Sequence, residues 1–336
     1  MRAYGAVFLM IAAASAFAAR PLRVYFVDVE GGQATLVVSP SGQSMLVDTG
    51  WPGHNGRDAG RIVAAARKAG VKRLDYVVVT HYDTDHVGGV PNLAERIPIG
   101  TFIDHGASAG SGKQHDELVR AYAAYRDKTR HIEAKPGDTI PLKDVKIQIV
   151  TSAGNLIPGP LPGAGEENPA CAGLQPRPGD GSENAQSIGM FITFGKFRML
   201  DLADVTWNKE LQLMCPRTVL PPVDVYVVSH HGMNMSGSAA LVHPLRARAA
   251  IMNNGARKGG TPEAWQVIRK APGLEDIWQL HYTVTAGREN NAPDTFIANT
   301  DEQCEGQGIS LTAEQDGTFT ITNARNKYTK TYKPRS

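Results

Sequence analysis

The sequence is poor in several things, and each scarcity excludes something. Its 336 residues include only three cysteines, Cys171, Cys215 and Cys304. Three thiols allow at most one intramolecular disulfide and leave one over. Their spacing matches no zinc-knuckle pattern, so a disulfide-built scaffold and a cysteine-rich metal domain are both excluded. Charge of one sign is not in excess either: 35 Lys and Arg face 33 Asp and Glu, a formal net charge of +2. Such a balance leaves no overall footprint for nucleic acid or an anionic membrane surface, without excluding either, because a local patch can still form. Beyond the N-terminus no stretch is apolar over the ~20 residues a membrane-spanning helix needs. There is no internal repeat and no break in composition that would demand a second domain, and the length suffices for one large α/β domain with a sizeable core.

The N-terminus reads as a targeting segment. Arg2 supplies positive charge, Ala6–Ala14 is apolar, and Ala16-Phe17-Ala18 fits the small-x-small pattern cut by signal peptidase. The apolar run is too short to cross a bilayer, and an uncleaved anchor or a core helix are the competing roles. The expectation is a signal peptide over residues 1–18 and a mature chain over 19–336. That chain would be periplasmic or secreted, free of the membrane after cleavage, in an oxidising compartment where a disulfide persists.

Residues 22–50 read as a β-meander. Leu22–Val29, Ala34–Ser39 and Ser44–Asp48 are rich in Val, Leu, Tyr and Phe, with Gly31-Gly32 and Ser39-Pro40-Ser41-Gly42 as turns. Ile62, Val63, Ala66 and Ala69 fall at helical spacing and predict a helix over Arg57–Ala69, with Gly70 where a C-cap belongs. The apolar strand Tyr76–Val79 runs into Thr80-His81. A short helix at Pro91–Arg96, a strand at Ile99–Ile103 and a helix at His115–Lys128 follow, then strands at Val145–Thr151, Ser187–Phe194 and Phe197–Leu202. Trp207–Leu213 reads as helix, Val223–Val228 and Ala249–Met252 as strands, Pro262–Lys270 as helix and Ile277–Leu280 as strand. Short strands at Ser310–Ala313 and Thr318–Thr322 end the pattern, and a basic tail at Lys327–Arg335 is expected to be solvated. Two sheets packed face to face with helices outside satisfy this order. Residues 153–184 are dense in Pro and Gly without periodicity, and a loop of that length is either a functional rim or a loose insertion.

The strongest chemical signal is Thr80-His81-Tyr82-Asp83-Thr84-Asp85-His86. Four candidate ligands lie within six residues directly after a buried strand. Alternation would put His81, Asp83 and Asp85 on a similar side and His86 elsewhere, so one loop can serve two ions. Histidine and carboxylate are the usual N/O ligands of zinc and related metals. A merely polar loop is the weaker reading, because packed His and Asp charges are costly without a cation among them. Val87-Gly88-Gly89 is expected to let the backbone turn tightly away. Ser229-His230-His231-Gly232 closes a second apolar strand, and Leu200-Asp201-Leu202-Ala203-Asp204 a third. One carboxylate of that last pair could bridge two metals, and capping a helix ahead of Trp207 is its competing role.

Strand–His-x-Asp-x-Asp-His, strand–Asp and strand–His-His-Gly together resemble the metallo-β-lactamase superfamily, in particular the branch typified by the β-lactamase-like domain of DNA-uptake competence channels. Supporting segments are Tyr25–Gln33, Leu46–Gly50 and Asn184–Ser187, so the likeness spans residues 22 to 255 and covers the rest loosely. The resemblance implies an α/β fold, a four-layer αβ/βα sandwich with a metal site at one edge. It implies that His81 and Asp83 bind a first metal and Asp85 and His86 a second. Asp204 would bridge, and His231 would complete the set, with His230 close behind.

Two departures bear on the metal. Asp83 stands where the family commonly has a second histidine. No histidine between residues 132 and 200 completes the first site, with Asn184 a possible substitute and His105 better read as a loop residue. A site richer in oxygen admits manganese or iron beside zinc, one ion or two. The implied activity is metal-dependent hydrolysis of a small-molecule substrate, favouring a phosphoester or phosphodiester, with Asp85 orienting the nucleophile and relaying its proton. A lactonase or β-lactamase, and a non-catalytic metal-binding module, are the alternatives, and fold alone does not choose among them. N-terminal sequencing of the protein from its native compartment is expected to begin near Ala19; a chain beginning at Met1 would reject the signal peptide.

Overall fold

The computed structural model describes residues 20–335, and the expected signal segment lies outside the described residues. Three strands, β1 (Leu22–Phe26), β2 (Thr35–Val38) and β3 (Ser44–Val47), form the antiparallel meander. The chain continues through α1 (Arg57–Lys68), β4 (Leu74–Val78), α2 (Thr84–Val87), α3 (Val90–Ala94), β5 (Ile99–Asp104), α4 (Lys113–Arg126) and β6 (Arg130–Glu133). From β3 to β6 neighbouring strands are parallel, with helices between them.

A second sheet opens with β7 (Thr139–Ile140), β8 (Lys146–Ser152), β9 (Asn155–Leu156), β10 (Gly189–Phe194) and β11 (Phe197–Asp201). Then α5 (Trp207–Met214), β12 (Val225–Val227), α6 (Ala239–Leu245), β13 (Ala249–Met252), α7 (Pro262–Arg269), β14 (Asp276–His281) and β15 (Ile297–Asn299) follow. Strands β11 to β15 run parallel. The last three strands, β16 (Ile309–Ala313), β17 (Phe319–Asn323) and β18 (Thr329–Tyr332), return to the first sheet beside β1.

The two sheets pack face to face. Phe26, Val47 and Val78 from one meet Met190, Met199, Val227 and Trp278 from the other in a shared core. Helix α1 (through Ile62 and Ala66) covers the outer face of the first sheet. Leu213, Leu241 and Trp265, from α5, α6 and α7, cover the second. This is the expected four-layer αβ/βα sandwich. Strands β12 and β13 are buried at every position, as parallel strands covered on both faces must be, whereas β1 alternates in burial. Gly70 takes φ 77° directly after α1, the left-handed position that ends a helix cheaply only in glycine.

Several short elements escape the sequence pattern. Strands β6, β7 and β9 are four residues or fewer. Helix α6 carries Pro244 in its last turn, which reads as a break, while Ser238 caps its start by accepting from Leu241 N. The basic tail keeps Lys327, Lys333 and Arg335 exposed, as expected, but it is not a loose extension. It forms β18, where the Tyr332 ring stacks on Phe319 at 4.4 Å and its hydroxyl accepts from Trp278 Nε1 at 2.9 Å and donates to Asp276 Oδ2 at 2.6 Å. Threonines and lysines around one buried aromatic make an edge strand that resists further pairing. Tyr332→Ala is expected to cost about 3 kcal/mol, read as a lower urea midpoint at unchanged slope. A loss below about 0.5 kcal/mol would place β18 outside the folded core.

Candidate metal centre

Loops leaving the C-terminal ends of parallel strands supply the site. His81 follows β4, Asp204 follows β11, and His230 and His231 follow β12, while Asp85 and His86 lie on the single turn α2. Their tips converge. His86 Nε2 lies 3.2 Å from His231 Nε2, 3.3 Å from Asp85 Oδ2 and 3.3 Å from Asp204 Oδ2. His231 Nε2 is 3.2 Å from Asp85 Oδ2 and 3.4 Å from Asp204 Oδ2, and His230 Nε2 is 3.4 Å from Asp204 Oδ2. Asp83 is the outermost member, with 41% of its side chain exposed and its Oδ2 3.6 Å from His81 Nε2.

The other ring nitrogens are held from behind. His86 Nδ1 is 2.7 Å from Asp48 Oδ2, and His81 Nδ1 is 3.1 Å from Thr80 Oγ1. His231 Nδ1 faces Asn253 O and His230 Nδ1 faces Ser236 Oγ, both at 3.3 Å. A partner at Nδ1 orients the ring and leaves Nε2 aimed into the common volume. Asp48 is itself fixed by Thr80, whose N and Oγ1 donate to it at 2.8 and 2.7 Å.

This donor set fits a metal. Ligand atoms about 2.0–2.2 Å from a tetrahedral zinc stand about 3.3–3.6 Å apart, the spacing seen here. His81 Nε2 and Asp204 Oδ1 are buried without a hydrogen-bond partner among the described residues, a costly condition that a cation relieves. The groups His81–His86–Asp204 and Asp85–His86–His231 each bring three ligand atoms within 4.8 Å of one another.

Electrostatics agree. Burial opposes charge on the Asp85 carboxyl, yet His86 and His231 hold it well below the usual range. Burial likewise opposes Asp204, and His231, His86 and His230 hold it well below. His86 is raised well above its ordinary value against burial by Asp204, Asp85 and Asp48, and His231 is raised chiefly by Asp204. His230 alone is lowered, because burial and the neighbouring imidazoles outweigh Asp204. The carboxylates therefore demand positive charge in this volume, from protons or from a metal.

All seven expected ligands, His81, Asp83, Asp85, His86, Asp204, His230 and His231, lie in or at the rim of this cluster. Alternation along an extended segment does not describe the first motif: α2 coils the chain there, so His86 stands at the centre beside Asp85 instead of pointing elsewhere. Between the two acids after β11, Asp204 reaches the cluster. Asp201 instead accepts from Gln33 Nε2 and Ala203 N, and burial, with the charge of Asp48, raises it to about 6. The cap of α5 is Thr206, so neither acid serves as one. Gly88 and Gly89 have ordinary negative φ, and their purpose is close approach: a Cβ on Gly89 would stand 2.0 Å from Thr49 O. His105 lies outside the cluster and pairs with Glu183 at 2.7 Å.

Four contributors are not marked by the ligand pattern. Asp48 is signalled only by the acid ending the strand of the Leu46–Gly50 segment. Lys258 Nζ contacts Asp85 Oδ2 and sits 4.9 Å over the ring of Trp51, and nothing local in the sequence announces either residue. Glu183 closes the 105–110 loop by accepting from Ala109 N and Gly110 N, and also from Tyr82 N between two ligands. Cys171 pairs with Cys215, leaving Cys304 half-buried with Sγ 3.6 Å from Asp28 Oδ2. Asp28 also meets His281 at 2.7 Å, but Arg61 already neutralises it at 3.1 Å, so that group is a buried ion pair.

A family model described as the metallo-beta-lactamase superfamily matches residues 27–166. ComE operon protein 3 of Bacillus subtilis (strain 168) is 23% identical over 188 residues, 55% of this chain. The chain spans only 20% of that relative's length. Among solved structures, the metallo-beta-lactamase fold protein YhfI from Bacillus subtilis is similar with a TM-score of 0.49 and 14% identity, covering 77% of this chain and 96% of that one. CmlA, a diiron beta-hydroxylase from Streptomyces venezuelae, is similar with a TM-score of 0.40 and 16% identity over 76% of this chain and 48% of that one.

Metal affinity is expected to fall as pH drops, because His86 and His231 take up protons from above the ordinary histidine value of ~6.5. Competition against a chromophoric chelator from about pH 8.5 to about 5.5 measures this, and a flat profile would exclude imidazole ligands. Asp48→Asn is expected to weaken metal binding about 10–100-fold through loss of the carboxylate behind His86. Affinity equal to wild type would show that Asp48 does not act on the site.

Proposed function

We propose that this chain, whose residues 27–166 match the metallo-beta-lactamase superfamily model, is an exported metal-dependent hydrolase acting on phosphoester or phosphodiester bonds. The observation that carries this reading is the convergence of imidazole Nε2 atoms and carboxylates, 3.2–3.4 Å apart, around Asp204. Asp204 Oδ2 lies at similar distances from His86, His231 and His230, so one carboxylate can be shared by two cation positions. Asp85, His86 and His231 would hold one ion with Asp204, and His81, Asp83 and His230 the other. Such ions supply Lewis acidity and a water acidified to near pH ~7.

The chain's own groups do the rest. Asp85, buried in the cluster beside Lys258, would orient the attacking water and accept its proton. Lys258 places a fixed cation beside Asp85, where non-bridging oxygens of a phosphoryl group would meet it. Trp51, Tyr82, Asp83 and Asp85 help to line a cavity of about 480 Å³ at the cluster, together with Lys113 and His115. With Asp83 and Asp85 turned to the metals, the two aromatic rings, Lys113 and the adjoining Lys258 suit a compact anionic ester better than a neutral lactam. Zinc is the first candidate, with manganese or iron favoured by the oxygen-rich position at Asp83. Export is supported by the apolar N-terminal segment and by the Cys171–Cys215 disulfide, a bond that persists in oxidising compartments.

Elemental analysis of the purified protein is expected to give close to two metal ions per chain. Stripping the metal should abolish hydrolysis of bis(p-nitrophenyl) phosphate, and adding back zinc or manganese should restore it. Asp85→Ala and His86→Ala should each lower kcat by at least about 100-fold with the fold retained by circular dichroism. Full turnover by the metal-free chain would overturn the reading.

A further inference from the structure

A second cavity, of about 390 Å³, adjoins the cluster on the side of His230, between residues 177–184 and the start of α5. This segment is the end of the Pro/Gly-rich insertion, and the structure makes it a built wall. Arg177 N donates to Asn208 Oδ1 at 2.8 Å, and Asn208 Nδ2 donates back to Arg177 O at 3.0 Å. The Arg177 guanidinium lies 3.9 Å over the Trp207 ring, and its Nη1 donates to Asn234 O at 2.7 Å. Six residues earlier, Cys171 is bonded to Cys215 just past α5, so the segment is tethered at both ends of that helix.

Arg177 is thereby held flat with donors to spare. Among the described residues its Nε and Nη2 make no hydrogen bond, and no carboxylate lies within ion-pair distance of it. Asp180, also on the cavity wall, is turned to Ser182, with Oδ1 2.6 Å from its Oγ. The remaining polar lining is neutral, and two of its atoms, Asn184 Oδ1 and Thr206 Oγ1, are buried without partners among the described residues. A planar guanidinium edge that is preorganised and free is the geometry for bidentate recognition of an oxyanion.

We propose that this cavity binds the part of the substrate flanking the scissile bond, and that Arg177 selects substrates carrying a second oxyanion there. The proposal rests on the hydrolase reading above and adds the substrate class: an ester whose reacting centre meets the metal cluster while a carboxylate or phosphate on the same molecule reaches Arg177. Lys258, beside Asp85, and Arg177, in the cavity that His230 also lines, would then read the two charges separately.

Binding to the metal-loaded full chain, followed by titration calorimetry, tests this without turnover. The probes are phenylphosphonate, with one anionic group, and 3-phosphonobenzoate and benzene-1,3-diphosphonate, each with two. Wild type is expected to bind the better two-anion probe about tenfold more tightly than phenylphosphonate, the gain from one charged bidentate contact. Which of the two binds better identifies carboxylate or phosphate as the second group. In Arg177→Met that preference should collapse to near unity, and in Arg177→Lys, which keeps the charge but not the fork, it should be intermediate. Thermal unfolding confirms that both variants fold; if Arg177→Met does not, Arg177→Lys alone decides. A wild type without the preference, or an Arg177→Lys chain that retains it in full, overturns the proposal. Failure of wild type to bind phenylphosphonate at all would overturn the phosphoester reading beneath it as well.

Discussion

Seven ionisable side chains meet within a few ångströms in a site largely closed to water, and that proximity governs the rest of the structure. Removing charges from water costs several kcal/mol per ion, and close opposite charge repays this only when the geometry is held. Here the carboxylates of Asp85 and Asp204 are kept ionised by imidazoles, and the imidazoles of His86 and His231 are kept basic by those carboxylates. Neither set could be buried in this way without the other. The same tension makes the site receptive to a cation that displaces the protons.

The scaffold holds this arrangement through two rigid sheets and a strained connection at several strand ends. Asp48, Ala203, His230 and His231 all take positive φ, at 59°, 48°, 53° and 55°. For residues other than glycine such conformations cost of order 1–3 kcal/mol each and persist only where packing over-determines them. At His230 and His231 two successive left-handed residues splay adjacent rings, at 74° to each other, onto Asp204. Strands buried on both faces fix where each connection starts, and Asp48, Thr80, Ser236 and Asn253 fix how each ring turns. The insertion joins this scheme from outside: Glu183 ties it to the backbone between His81 and Asp83, and Asn208 ties it to α5.

Much of the site could be read directly. Four ligands crowd one heptapeptide, and the β-branched run Val77-Val78-Val79 before it reads as the end of a buried strand. Ligands at strand ends carry this local signal because an apolar run followed by polar residues marks where a sheet edge opens. Lys258 and Trp51 carry none: they lie far apart in the chain and meet only because the loop after β13 folds over the one after β3. The local pattern left Asp201 and Asp204 open, since both close the same strand; the family resemblance favoured Asp204, and the turn at Ala203 is what separates an acid facing Gln33 from one facing the histidines.

The chain's order of apolar runs, turns and ligand types determined by itself that two sheets would pack with helices outside and that metal-binding groups would gather at strand ends. Those features follow from periodicity and side-chain chemistry, which are local. Tertiary structure alone decided that His86 stands at the centre of the cluster, that both His230 and His231 reach Asp204, that the basic tail closes a sheet, and that Arg177 is laid on Trp207. Each of these depends on distances between segments tens to hundreds of residues apart, and such distances are set by packing, for which the chain carries no local sign.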